Sequence, residues 1–257
     1  MLYLNQSLLK IAGCGGTHRT ERSGIMAVAA GIMVPHPPLI VPDVGRGQEI
    51  LIKDTIKAYQ EAAGMAAELK PDTIVVISPH AVMYADYFHV SPGKEARGDF
   101  GRFMAPQIGV EAGYDEAFVR ELDRLCGDDG FPMGTEGERE KELDHGTLVP
   151  LYFINQHYRD YKLVRIGGSG LSFADHYRAG RYIARAAENL GRSVFIVASG
   201  DLSHKLRGDG PYGTVSRGRN MMSGLWMSWE KRNLGSCWLF RKTFAKRQEN
   251  AATAALS

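Results

Sequence analysis

Thr73-Ile74-Val75-Val76-Ile77-Ser78-Pro79-His80 is the stretch on which the fold turns. Its apolar residues follow one another without polar alternation, which marks a strand buried on both faces. Pro79 stops the strand, because proline brings no N–H to a ladder. His80 follows at once. The same plan recurs upstream, where Ala27 to Val34 is small and apolar and ends at Pro35-His36-Pro37-Pro38. It recurs twice downstream. Leu163 to Ile166 is closed by Gly167-Gly168-Ser169-Gly170, and Ser193 to Ser199 by Gly200-Asp201-Leu202-Ser203-His204. Tyr87 to Val90 predicts one more strand.

Between these runs the period changes. From Gln48 to Leu69, residues Ile52, Ile56, Tyr59 and Ala63 recur every three or four positions, as on one helix face. Tyr114 to Cys126 does the same through Phe118, Val119, Leu122 and Leu125. Asp144 is placed to cap a helix from about Gly146 to His157. Ser172 caps another that runs to Leu190, with Asp175 at the capping-box position. Strands alternating with helices predict an α/β layered fold, with helices on both faces of a sheet.

The chain has 257 residues, 44% hydrophobic and 23% charged, which suits a globular protein and excludes a disordered chain, a collagen repeat or a disulfide scaffold. No apolar run reaches the ~18 residues of a membrane span, and no secretory leader is expected. Cys14, Cys126 and Cys237 lie far apart, a spacing that suits a reducing cytoplasm and no metal knuckle. Neither a nucleic acid nor a membrane is an expected partner, and oligomeric state is not legible.

The histidines carry the chemical signal. Of eight, His36, His80 and His204 directly follow strand ends. In open α/β sheets ligands bind at the carboxyl ends of strands, so these imidazoles can converge on one crevice. His145, at the opening of the helix after Asp144, can join them. Neutral imidazole binds Fe(II) and Zn(II) and serves as a base near neutral pH. A single strand-end histidine is ordinarily a loop hydrogen-bonder; three in Pro- or Gly-shaped turns point to a shared site. His89 reads as a half-buried strand residue, and His157 and His176 as helix-surface residues. Asp201 can orient His204 or cap a turn. The Gly167-to-Gly170 run can cradle an anion or form a tight turn, and the tight turn is the expected role.

Val34-Pro35-His36-Pro37-Pro38, Ser78-Pro79-His80, Leu143-Asp144-His145-Gly146-Thr147 and Ser199-Gly200-Asp201-Leu202-Ser203-His204 together resemble the class III extradiol ring-cleavage dioxygenases, the LigB-like family. The resemblance covers about residues 27–213. It is closest to the LigB-like domain of AmmeMemoRadiSam system protein A, with Memo as a relative. It implies a three-layer α/β/α fold with a central mixed, mainly parallel sheet. It implies Fe(II) as cofactor, with Zn(II) as second choice, held by His36 and His80. It implies His204 as the acid/base facing a catechol-like substrate, His145 as a second catalytic, substrate-contacting histidine, and Asp201 as a polar companion in the last turn. The partners implied are a small aromatic diol and dioxygen. The alternative is a Memo-like metal- or partner-binding protein without ring cleavage. The family's third ligand, a glutamate near the C-terminus, has no visible counterpart, which implies an impaired metal site.

Charge sets the ends apart. Residues 214–257 hold eight Lys and Arg against two Glu and no Asp, and also all three tryptophans. Undoing a two-base slip by back-translation turns Asn220 to Met227 and Phe240 to Leu256 into acidic, family-like sequence. Residues 214–257 are therefore expected to be an out-of-frame tail, poorly packed, and residues 1–25 an upstream extension, leaving 26–213 as the dioxygenase-type domain. A basic nucleic-acid arm is the competing reading of the tail.

Overall fold

A computed structural model describes residues 9–11 and 27–201. By contacts the chain divides into Met1–Gly200 and Asp201–Ser257, and every element named here belongs to the first unit. In order these are β1 (Leu9–Ile11), β2 (Val28–Val34), α1 (Pro42–Gly45), α2 (Lys53–Leu69), β3 (Thr73–Ser78), β4 (Phe88–His89), β5 (Glu95–Phe100), β6 (Ala105–Gly113), α3 (Glu116–Asp128), β7 (Met133–Gly134), α4 (His145–Ile154), β8 (Lys162–Gly167), α5 (Phe173–Leu190) and β9 (Val194–Ser199).

The main sheet runs β1-β2-β9-β3-β8. The β2–β9, β9–β3 and β3–β8 pairs are parallel, and β1 is an antiparallel edge. Helices cover both faces, so the expected three-layer α/β/α fold with a mainly parallel central sheet is present. The period-2 geometry of the strands sorts their side chains. Ile74 and Val76 of β3 join Tyr59, Ala62 and Ala66 of α2 and Leu148 and Leu151 of α4 on one face. Val75 joins Phe118 and Leu122 of α3 and Ile183 and Ala187 of α5 on the other. Burying Phe118 completely contributes about 1.5–3 kcal/mol.

The helix expected from Gln48 begins as a 3₁₀ segment over Gln48–Ile52 and becomes α-helical at Lys53. Asp144 and Ser172 cap α4 and α5 through side-chain oxygens that accept from Thr147 N–H and Asp175 N–H. The β5–β6 hairpin has no counterpart in the sequence reading. Its strands, EARGDF and APQIGVEAG, carry glycines and many exposed positions, so neither period stands out. Cys126 is buried in α3, and burial, reinforced by nearby Asp123 and Asp129, pushes its thiol up to about 12, which leaves it unreactive. Among the described residues no helix is long and apolar enough to cross a membrane.

The glycine run after β8 acts by close packing. A Cβ on Gly167 would lie 1.8 Å from the Val82 carbonyl oxygen, and one on Gly170 would lie 2.6 Å from that of Ala85. Gly168 N–H donates to the carbonyl of Ser78 at the end of β3, and Gly170 N–H to that of Tyr84 in the loop that follows His80, so both amides are committed within the fold. Substituting Gly167→Ala should destabilise the fold by about 3 kcal/mol, read as a lowered denaturation midpoint. Gly168→Ala, whose Cβ would meet nothing nearer than Met83 Sδ at 3.5 Å, should stay within about 0.5 kcal/mol.

Candidate metal centre

Two of the histidines arrive by the same device. Val34 ends β2 and Ser78 ends β3, and each is followed by proline and then histidine. Proline biases the residue before it to extended backbone, so each strand runs straight to its end and turns at the histidine. β9 lies between β2 and β3, and the register pairs Val34 with Ser199. His36 and His80 therefore flank the end of β9 and lean across it.

His36 is buried, and its Nδ1 lies 2.9 Å from Ser199 Oγ. Its Nε2 lies 3.0 Å from His80 Nε2. His145, the first residue of α4, completes the group, with ring centroids 4.0 Å from His80 and 5.4 Å from His36. One nitrogen from each of the three rings lies within 4.8 Å of the others. Burial grades outward: His36 buried, His145 intermediate, His80 exposed.

Asp144 locks two of these positions together. Its Oδ1 accepts from Ser78 Oγ at 2.5 Å and from Thr147 N–H at 3.0 Å, and Oδ2 accepts from Thr147 Oγ at 2.9 Å. The end of β3 is thereby joined to the start of α4. Gly146 permits the approach, since a Cβ there would sit 2.4 Å from Ser78 Oγ and 3.3 Å from His80 Cδ2. From the other side, Tyr59 of α2 donates to the Pro35 carbonyl and steadies the loop that bears His36.

The donor set fits a divalent transition-metal ion. Two nitrogens at about 2.1 Å from one ion and at right angles to each other lie about 3.0 Å apart, matching the His36–His80 separation. That distance is also a hydrogen bond when one Nε2 carries a proton. A proton on His36 Nδ1, donated to Ser199, leaves the Nε2 lone pair facing the centre, as a metal-ligating histidine requires. Beside the cluster opens a cavity of about 220 Å³. His80 and His145 form one wall; Asp99, Phe103, Glu140 and Glu142 contribute to the others. Phe103 packs edge-on against His145, centroids 5.4 Å apart.

The structure thus brings His36, His80 and His145 together. Asp201 is exposed and belongs to the second unit; His204 and the segment after it lie outside the described residues. The sequence places His145 with the other strand-end imidazoles as a substrate contact, and the structure brings it within 4.8 Å of the facing nitrogens of His36 and His80.

The chain matches the family model for the catalytic LigB subunit of aromatic ring-opening dioxygenase over residues 30–247. It belongs to that family. It is 38% identical over 195 residues to Protein CA_C1420 of Clostridium acetobutylicum, a match covering 73% of this chain and 42% of the relative. It is 26% identical over 160 residues to 3,4-dihydroxyphenylacetate 2,3-dioxygenase of Escherichia coli, covering 60% of this chain and 57% of the relative. The chain therefore spans about half the length of these relatives.

His89, read from sequence as half-buried, is fully buried. Among the described residues neither of its ring nitrogens has a hydrogen-bond partner, and the Glu138 carboxylate is 3.9 Å away. Burial holds its pKa below the ordinary value, outweighing the opposing pull of Glu138. The unfolded chain then binds the proton that the native state refuses, so stability falls as pH drops below about 6.5. Melting temperatures from pH 7 to pH 5 should show this decline, and His89→Leu should flatten it. At the cluster, Ser199→Ala should weaken binding of added Co(II) about tenfold through loss of the His36 partner, measured by titration.

Proposed function

We propose that this protein is an extradiol-type dioxygenase that opens the ring of a small catechol-like substrate with dioxygen, using non-haem Fe(II). The convergence of His36, His80 and His145 from three separate elements onto one point carries this reading, and membership of the LigB family supports it. His36 and His80 are the ligands, held by Ser199 and by the paired Pro-His turns. A ferrous ion would supply Lewis acidity toward the diol and redox chemistry toward dioxygen.

The chain's own residues do the rest. The cavity beside the cluster admits a single substituted ring, given that about 150 Å³ suffices for benzene. Phe103 offers an aromatic edge at its wall, and His145 is placed to exchange a proton with a substrate hydroxyl. His204 is assigned the principal acid/base role, on the motif that it shares with the family. The exposed flank at His80 is the entry side. Zn(II) on the same histidines is the second choice of ion. The residues 214–257 are read as the product of a shifted frame, on their charge reversal, against the competing reading of a genuine basic arm. Resequencing the gene across the codons for Tyr212 to Arg219 decides between them.

The test is oxygen uptake by protein reconstituted anaerobically with Fe(II) and then given a catechol. Uptake with a coloured ring-fission product is expected. Ion binding with no uptake across simple catechols would favour the Memo-like binding role instead. His36→Ala and His80→Ala should each lower bound iron at least tenfold, measured by elemental analysis. His204→Ala should keep the iron and lose at least 100-fold in turnover; loss of iron there would overturn its assignment as the base. Iron loss in His145→Ala would make that residue a ligand, and retained iron with slowed turnover would make it a proton carrier.

A further inference from the structure

We infer that Arg165 is a positioning residue for the histidine cluster: its guanidinium sets the course of residues 138–143, the segment that delivers Asp144 and His145. The inference rests on the reading of that cluster as a metal centre. Arg165 sits in the middle of β8, between Val164 and Ile166, and is fully buried. A buried cation is costly unless each donor finds an acceptor. An aliphatic residue would serve a parallel strand more simply, so the charge calls for a reason.

The reason lies in its partners. Nε donates to Ser91 Oγ at 2.7 Å, itself buried. One terminal nitrogen donates to the Glu142 carbonyl at 2.6 Å and the other to the Glu140 carbonyl at 2.5 Å. The second also lies 3.8 Å from the Glu138 carboxylate. Residues 138–143 have no helix or strand of their own, so no backbone ladder fixes them along their length. Their path depends on such tethers. Leu143 N–H adds a bond to the Arg97 carbonyl of β5 at 2.9 Å, and Tyr84 OH donates to the Gly137 carbonyl at 2.6 Å.

The geometry of the fork is what the site uses. Two carbonyls, two residues apart on an irregular segment, are held by two nitrogens of one rigid plane. Lysine, a point donor on a flexible stem, cannot reproduce that. Directly beyond the tether come Asp144, which binds Ser78, and His145, which joins the cluster. The tethered residues Glu140, Glu142 and Leu143 also form a wall of the adjacent cavity. Arg165 thus acts through the backbone, at one remove from the ion and the substrate.

The experiment titrates metal-free full-length protein with Co(II), following visible absorption, and records melting temperature without metal. The unsubstituted protein is compared with Arg165→Lys, with the milder Ser91→Ala, and with Phe118→Leu, a core change on the opposite face of the sheet. Arg165→Lys should weaken Co(II) binding about tenfold and shift the absorption bands. Ser91→Ala should do so a few-fold, and it keeps the test valid if Arg165→Lys fails to fold. Phe118→Leu should lower the melting temperature while leaving Co(II) affinity and spectrum unchanged. Unchanged affinity and bands in a folded Arg165→Lys, or in Ser91→Ala when that is the variant that folds, would overturn this inference alone. So would an equal loss of affinity in Phe118→Leu, which would make the effect merely structural. Failure of the unsubstituted protein to bind Co(II) would instead overturn the metal-centre reading and this inference with it.

Discussion

One carboxylate holds the working end of this fold together. Asp144 caps α4 through Thr147 and accepts from Ser78 at the end of β3. A side-chain cap normally satisfies the orphan donors of its own helix. Here the same group also ties that helix to the sheet, so His80 and His145, each two residues from one of its partners, have ring centroids 4.0 Å apart. Apolar packing between helix and strand is non-directional, whereas this hydrogen-bonded link is directional. Imidazoles that share one ion need angular placement, and hydrogen bonds supply it.

Sheet order provides the other half. β9 separates β2 from β3, so the two Pro-His turns stand about 10 Å apart at the strand level and their side chains close over Ser199. The register pairing of Val34 with Ser199 makes that hydroxyl the partner of His36. Parallel order in a central strand thus becomes a second-layer contact of the site. The fully apolar strands that make the sheet stable also place the polar chemistry where the strands stop, because only there do side chains escape burial on both faces.

Much of this is legible in the sequence. The continuous apolar runs around Ile74, Leu163 and Val194 identified buried strands, and the Tyr59 and Leu122 spacings identified helices, while the face that each helix covers comes from the structure. The prolines before His36 and His80 marked the strand ends. The β5–β6 hairpin was not legible, because its half-exposed strands alternate with glycines and its stability comes from pairing rather than from pattern. Nor was the burial of Arg165 and His89: an arginine within Leu163-Val164-Arg165-Ile166 reads as a local exception, and nothing in sequence shows carbonyls from a distant irregular segment closing on its guanidinium. The approach of His145 to the other rings uses both the Asp144 cap on Thr147, three residues away, and the Ser78 hydroxyl, 66 residues away. Long-range polar pairs of this kind leave no periodicity.

The central proposal is that the ends of β2 and β3 hold one divalent ion through His36 and His80, with His145 at the start of α4 beside it. Anomalous diffraction at the iron absorption edge, from crystals grown anaerobically with Fe(II), tests it most directly. The account predicts a single strong peak about 2.1 Å from Nε2 of both His36 and His80. A peak elsewhere, or none at full Fe(II) loading, would contradict it.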